Sequence, residues 1–249
     1  MCRHCMNRRE FLGVTAAITA GAAVGATALA GGDEADWGED LWEPDRAILR
    51  IGKPLRVQPV LSYVLPKRRE MTSWKSWGGV QSEAAVEEEA GRIKAELDAL
   101  AASADFPMDV LPVLRAASAE EAAKAPAEAD VRIAYPATGS AEMLAAALGE
   151  KDGLIFVRHK SGPVYYWYEA LSVRQLRTDK DAADCGKRVS VHDVVVDEPQ
   201  ELLWRLRALS AVNNFVGARI VAMGGPQGKY TSNASAFARE QFKLDIVDI

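Results

Sequence analysis

The stretch Gly153-Leu154-Ile155-Phe156-Val157-Arg158-His159-Lys160-Ser161-Gly162-Pro163 decides the fold class. An apolar run with no polar alternation is the mark of a strand buried on both faces, and such strands belong to parallel sheets covered by helices. The run breaks at once into three basic side chains and a Ser-Gly-Pro turn. Upstream, the pattern predicts a helix over Ser140–Leu148, a strand over Val131–Tyr135, a helix over Ser118–Lys124 and a strand over Met108–Leu114. Before these comes a long helix after Ser82, with Ala85, Ile93, Leu97 and Leu100 on one side, and a strand over Leu55–Val64. Pro59 within that first strand suggests an edge or a bulge, because proline lacks the N–H a ladder needs.

Downstream, helices are expected at Val164–Arg177, Pro199–Phe215 and Ser232–Phe242, and strands at Val189–Val196, Arg219–Met223 and Leu244–Ile249. Strands separated by helices of this length predict an α/β fold. It should be a Rossmann- or flavodoxin-like, mainly parallel sheet flanked by helices, with right-handed crossovers. The polar stretch Thr178–Lys187 has no apolar period and suggests a boundary between two small α/β units, 53–178 and 187–249. Leu244-Asp-Ile-Val-Asp-Ile249 reads as a strand at which the chain stops, which suggests a piece of something longer.

The chain has 249 residues, 49% hydrophobic and 26% charged, which is a globular composition. Its 30 basic and 35 acidic side chains give a formal charge of −5. That balance argues against nucleic-acid binding, which needs a dense basic surface to displace counterions from phosphate. Three cysteines, two of them at Cys2 and Cys5, exclude a disulfide-rich scaffold.

Residues 1–30 read as an export signal. Asn7-Arg8-Arg9-Glu10-Phe11-Leu12 resembles the twin-arginine export motif, and an uncharged run follows from Gly13 to Leu29. The run is too rich in Ala and Gly for a convincing permanent span, which needs about 20 strongly apolar residues. Ala28-Leu29-Ala30 offers a small-x-small cleavage site. The expected location is therefore periplasmic or otherwise extracytoplasmic, with the twin-arginine machinery as a partner. Cys2-Arg3-His4-Cys5 has metal-like spacing but would leave with the signal. Residues 31–52, acidic and carrying Trp37 and Trp42, read as a linker or N-terminal arm.

In sheets of this kind ligands bind beyond the carboxyl ends of the strands. Arg158, His159 and Lys160 follow directly on such an end, so an anionic or polyhydroxylated ligand is expected there; the alternative is a solvated turn with Ser161 as a helix cap. Gly224-Gly225-Pro226-Gln227-Gly228-Lys229 follows another strand. A phosphate-binding loop would require Gly where Met223 stands and Ser or Thr where Tyr230 stands, so nucleotide binding is rejected. A glycine turn that lets backbone approach a ligand fits better. No metal-ligating or acid/base constellation emerges: His192-Asp193 lies in a strand pattern that sends the two side chains to opposite faces. No Gly-x-Ser-x-Gly elbow occurs. Asp197-Glu198 suits helix capping better than catalysis.

Three segments together carry a resemblance: Phe156-Val-Arg-His-Lys-Ser-Gly-Pro163, Glu201-Leu-Leu-Trp-Arg-Leu-Arg-Ala-Leu209 and Arg219-Ile-Val-Ala-Met-Gly-Gly-Pro226. On them the chain resembles the amino-terminal region of the L-fucose/L-arabinose isomerase family, in an exported, sugar-isomerase-like branch. The resemblance implies a Rossmann-like domain that helps build a sugar pocket and a homo-oligomer. It also implies aldose–ketose isomerisation by proton transfer at a divalent metal such as manganese. The family's metal ligands and acid/base pair belong to its carboxyl-terminal half, and nothing in this chain matches them. No cofactor is therefore expected in this chain, and the metal only together with that half. Carried over by residue, Arg158, His159, Lys160, Gly225 and Pro226 are the expected substrate contacts. A non-catalytic exported protein binding a sugar or another small polar ligand is the alternative, and an assembly module a third reading.

Overall fold

The computed structural model describes residues 52–67, 70–71, 78–150, 152–166, 189–226 and 231–249. The chain divides into two compact units, Met1–Ala47 and Ile48–Ile249, and every described residue belongs to the second. The expected export signal and the Thr178–Lys187 boundary lie outside the described residues.

Six strands form one sheet: β1 (Leu55–Ser62), β2 (Met108–Val110), β3 (Leu114–Ala116), β4 (Val131–Pro136), β5 (Asp152–Val157) and β6 (Val194–Val196). Their order is β2-β1-β4-β5-β6, with β3 also paired to β1, and every pairing is parallel. Helices α1 (Glu83–Ser103), α2 (Ala119–Ala122), α3 (Ala141–Leu148) and α4 (Pro199–Phe215) connect or follow the strands. This is the expected α/β architecture, a mainly parallel sheet flanked by helices. The core is continuous: Leu61, Ile133, Ile155, Phe156 and Val195 from the strands meet Ile93 and Leu97 of α1 and Leu206 of α4 in one cluster. Fully burying each such side chain stabilises the fold by about 1.5–3 kcal/mol.

Local signals start the helices where the sequence places them. Ser82, Ser118 and Ser140 each accept a hydrogen bond from a first-turn N–H of α1, α2 and α3, satisfying donors that have no partner inside the helix. Pro199 opens α4, where its missing N–H costs nothing.

Three expectations need correction. Pro59 marks neither an edge nor a bulge of its own strand, since β1 has neighbours on both sides. The hydrogen bonds from Leu55 N–H to Pro107 O and from Leu111 N–H to Val57 O show that odd-numbered residues of β1 face β2 and β3. Pro59 therefore turns its missing donor toward the gap at 111–113, where the neighbour is interrupted between β2 and β3. Buried Gln58 fills that gap, its Nε2 donating to Pro59 O and Pro112 O, both at 2.8 Å. The single strand expected at Met108–Leu114 is thus two three-residue strands. Second, Val189–Val196 is not all strand: Val191–Asp193 is a 3-10 turn closed by a capping box, and only Val194–Val196 pairs. Third, no helix begins at Val164, because Val164–Tyr166 are non-helical; the rest of the expected helix lies outside the described residues.

A second, two-stranded parallel sheet is made by β7 (Arg219–Ala222) and β8 (Asp245–Asp248), joined through α5 (Ala234–Phe242). β6 and α4 belong with the first sheet, pairing with β5 and packing on α1 and β1. The change of sheet therefore comes at 216–218, after α4.

Candidate functional site

The carboxyl ends of β1, β4 and β5 are tied together by backbone. Thr138 Oγ1 accepts from Val64 N–H at 2.6 Å and donates to Val64 O, while Ala137 N–H donates to Ser62 O. Residues 163–166 then run as a strap. Tyr165 N–H donates to Arg158 O, Tyr166 N–H to Ala137 O, and Gly79 N–H to Val164 O at 2.7 Å. A Cβ on Gly79 would lie 2.6 Å from Pro163 Cβ and 2.8 Å from its Cα, so this crossing requires glycine.

Arg158 does not present itself to a ligand. Its side chain is 0% exposed, and its guanidinium is shared between Glu89 and Glu96 of α1. Nε lies 2.5 Å from Glu89 Oε1, Nη2 2.7 Å from Glu96 Oε2, and Nη1 reaches Glu96 Oε1 and Ser161. The Tyr165 hydroxyl donates to Glu89 Oε1 at 2.6 Å, and Arg92 flanks Glu89 Oε2 at 3.2 Å. Burial opposes the Arg158 charge, but the hydrogen bonds and charges of Glu96 and Glu89 outweigh it, so the guanidinium holds its proton more firmly than in water. Burial first, then the Glu89 charge, pushes the Tyr165 phenol well above its ordinary range. With every nitrogen of its guanidinium bonded to α1 or Ser161, Arg158 is a lock between sheet and helix.

His159 and Lys160 are exposed on the same loop. The loop is shaped by Asp197, which follows β6 in the left-handed backbone region at φ +57°. Its carboxylate accepts from the N–H groups of His159, Lys160 and Ser161 at 2.8–3.0 Å and from Ser161 Oγ at 2.6 Å. Slight burial raises the Asp197 pKa, but these four donors outweigh it and hold the carboxyl well below the usual carboxylate range. The expectation that Asp197-Glu198 caps the following helix is therefore overturned. Glu198 occupies the N-cap of α4 without a side-chain bond, and Asp197 caps the β5 loop instead.

Gly225 and Pro226 end the second sheet's β7 turn, half-buried, with Gly224 and Gly225 at φ +82° and +99°. No atom lies within 4 Å of a Cβ built on either glycine, so their backbone angles, rather than close packing, call for glycine. Arg158, His159 and Lys160 are thus brought together at one loop on the six-stranded sheet, while Gly225 and Pro226 stand on the other. His192 lies in the 3-10 turn with its backbone O accepting from Arg205, and Asp193 turns back onto Ser190.

Two important residues escaped the sequence reading. Glu89 lies four residues from both Ala85 and Ile93, on the apolar side of α1, and that spacing is the signal that separates it from the solvated Glu87 and Glu88. Arg132, in β4, is 8% exposed, and burial lowers its pKa. Its guanidinium donates to Ala125 O past α2 and to Ala146 O in the last turn of α3, so carbonyls at helix ends take the place of a carboxylate.

Among the described residues no group of three His, Cys, Asp or Glu is placed to hold a metal ion. No helix among them is long and apolar enough to cross a membrane. No family model matches the chain, and no curated protein is significantly similar to it.

Proposed function

We propose that this chain is the substrate-side and assembly region of an exported, sugar-isomerase-like protein. It would supply one wall of a site for a sugar or similar small polyol, without the groups that move the proton. The observation that carries this reading is the β5 loop. His159 and Lys160 stand exposed at the carboxyl end of a strand buried from Gly153 to Val157, on a loop fixed by four hydrogen bonds to Asp197. Lys160 pairs with no carboxylate among the described residues, which leaves its donors for a ligand's hydroxyl or anionic oxygens. A pre-shaped loop of this kind binds with little ordering cost. The Arg8-Arg9 motif supports export by the twin-arginine route. Aldose–ketose isomerisation needs a base or metal beside two adjacent carbons, and no step of it is assigned to the residues of this chain.

The test is a titration of isotopically labelled protein with L-fucose and L-arabinose, followed by amide resonances. Shifts centred on 159–161, weakened in Lys160→Ala, are expected. Shifts confined to other regions, or none at about 100-fold the micromolar range typical of substrate binding, would remove the sugar reading. Binding that is tight and unaccompanied by catalysis under any reconstitution would favour the alternative, a non-catalytic exported sugar-binding protein.

A further inference from the structure

Helix α4 is apolar on two sides. Leu202, Leu203 and Leu206 are buried against α1 and β1. On the opposite side Trp204, Ala208, Ala211 and Phe215 are all exposed, Trp204 at 64% and Phe215 at 46%. Their spacing, four, three and four residues, is that of a helix–helix seam. A surface helix ordinarily keeps its outer face polar. The seam continues past the helix end: Phe215 meets Phe242 of α5 edge-on at 5.4 Å, and Phe242 meets Phe237 at 6.3 Å.

We infer that this face is where a second copy of the chain docks, α4 against α4 in antiparallel orientation about a two-fold axis. The sequence of the seam is its own complement. A two-fold interface requires that if residue i meets j, then j meets i. Centring the axis between Ala208 and Ala211 places Trp204 of one copy opposite Phe215 of the other, and Ala208 opposite Ala211. Large side chains then close both ends, and small ones at the centre let the helices approach. Reversing one helix also brings Arg205 nearest Val212 and Arg207 nearest Asn214 of the other copy, on their own sides of the seam, so no like charges confront each other. Arg205 and Arg207 are already drawn sideways, to Glu201 and Asp105. The four-residue seam spans about 16 Å of helix, short of a standard interface alone. Phe237 and Phe242 lengthen the apolar strip at each end. This inference deepens the assembly half of the proposed function by naming partner and surface, and it does not depend on sugar binding.

Sedimentation velocity on the purified chain at 1–100 µM should show a reversible dimer. Ala211→Glu, at an exposed position, should weaken dimerisation by about 30-fold or more while leaving the helical circular dichroism unchanged. Orientation is read by disulfide trapping in a background with Cys2, Cys5 and Cys185 replaced by Ser. Mixed copies carrying Ala208→Cys and Ala211→Cys should cross-link to each other faster than either does to itself. A chain that stays monomeric throughout this range overturns the inference and leaves the face to a different partner. So does a dimer indifferent to Ala211→Glu, or preferential Ala208→Cys self-linkage. Failure of sugar titration together with an intact α4 dimer would remove the binding reading alone.

Discussion

The two sheets of this molecule obey the same pairing rule and live in opposite environments. β5 is a parallel strand whose residues from Gly153 to Val157 are all buried, while in β7, also parallel, Ile220 is 39% and Val221 52% exposed. Parallel strands are ordinarily covered on both faces, and two strands alone hold each other weakly. In the first sheet six strands and the flanking helices share one core. In the second, register leaves Ile220 beside Ile246 and Val221 beside Val247, on opposite faces, with α5 contributing no buried residue. Sequence pattern alone makes a strand, but only neighbours make it stable, and the exposed apolar surface of this molecule gathers where neighbours are few.

The largest expected effect tests the lock on the first sheet. Glu89→Ala leaves Arg158 buried with one of its two carboxylates gone, so stability to urea should fall by about 3–5 kcal/mol, the usual cost of breaking a buried ion pair. A loss below about 1 kcal/mol would mean that Glu96 alone carries the arginine. Next comes a matched pair of truncations. Ile155→Ala in β5 should cost about 2–5 kcal/mol, whereas Ile220→Ala in β7 should cost under about 1 kcal/mol, because little burial is lost there. Equal losses would erase the contrast between the sheets.

Asp197→Ala should remove about 2 kcal/mol, since four donors to a carboxylate lose their acceptor and water replaces part of it. Its pH dependence has a definite sign. The folded-state pKa lies below the unfolded one, so the contribution is complete above the ordinary carboxylate value near about 4. It is lost progressively as the pH falls from there to the folded pKa, in stronger acid. Urea midpoints measured from pH 7 downward should therefore drop less steeply in Asp197→Asn than in the parent. The smallest stability effect is expected for Lys160→Ala, within about 0.5 kcal/mol as for other exposed sites. A large change there would mean that Lys160 is structural, as Arg158 is.

Much of the architecture was legible in the residues because the signals were local. Serine caps at 82, 118 and 140, Pro199 at the head of α4 and the unbroken apolar run of β5 act within a few residues of themselves. The misreadings came from contacts between distant segments. Pro59 was read against its own strand, yet what accommodates it is an interruption 52–54 residues later, filled by Gln58. The three basic residues after β5 looked equivalent, and only α1, through Glu89 and Glu96, separates buried Arg158 from exposed His159 and Lys160. Val164–Tyr166 were expected to open a helix, but the N–H groups of Tyr165 and Tyr166 serve Arg158 O and Ala137 O, which fixes them as a strap. Asp197 carried the signal of a helix cap and uses the same acceptor chemistry on another segment.

The most direct measurement of the contrast between the sheets is native-state hydrogen exchange, residue by residue, at low micromolar concentration. Amides of β1, β4 and β5 should exchange only through global unfolding, with a common, high protection. Those of β7 and β8 should open with several kcal/mol less. Uniform protection across both sheets would contradict the account, because it would show the exposed βαβ unit to be as firmly held as the buried core.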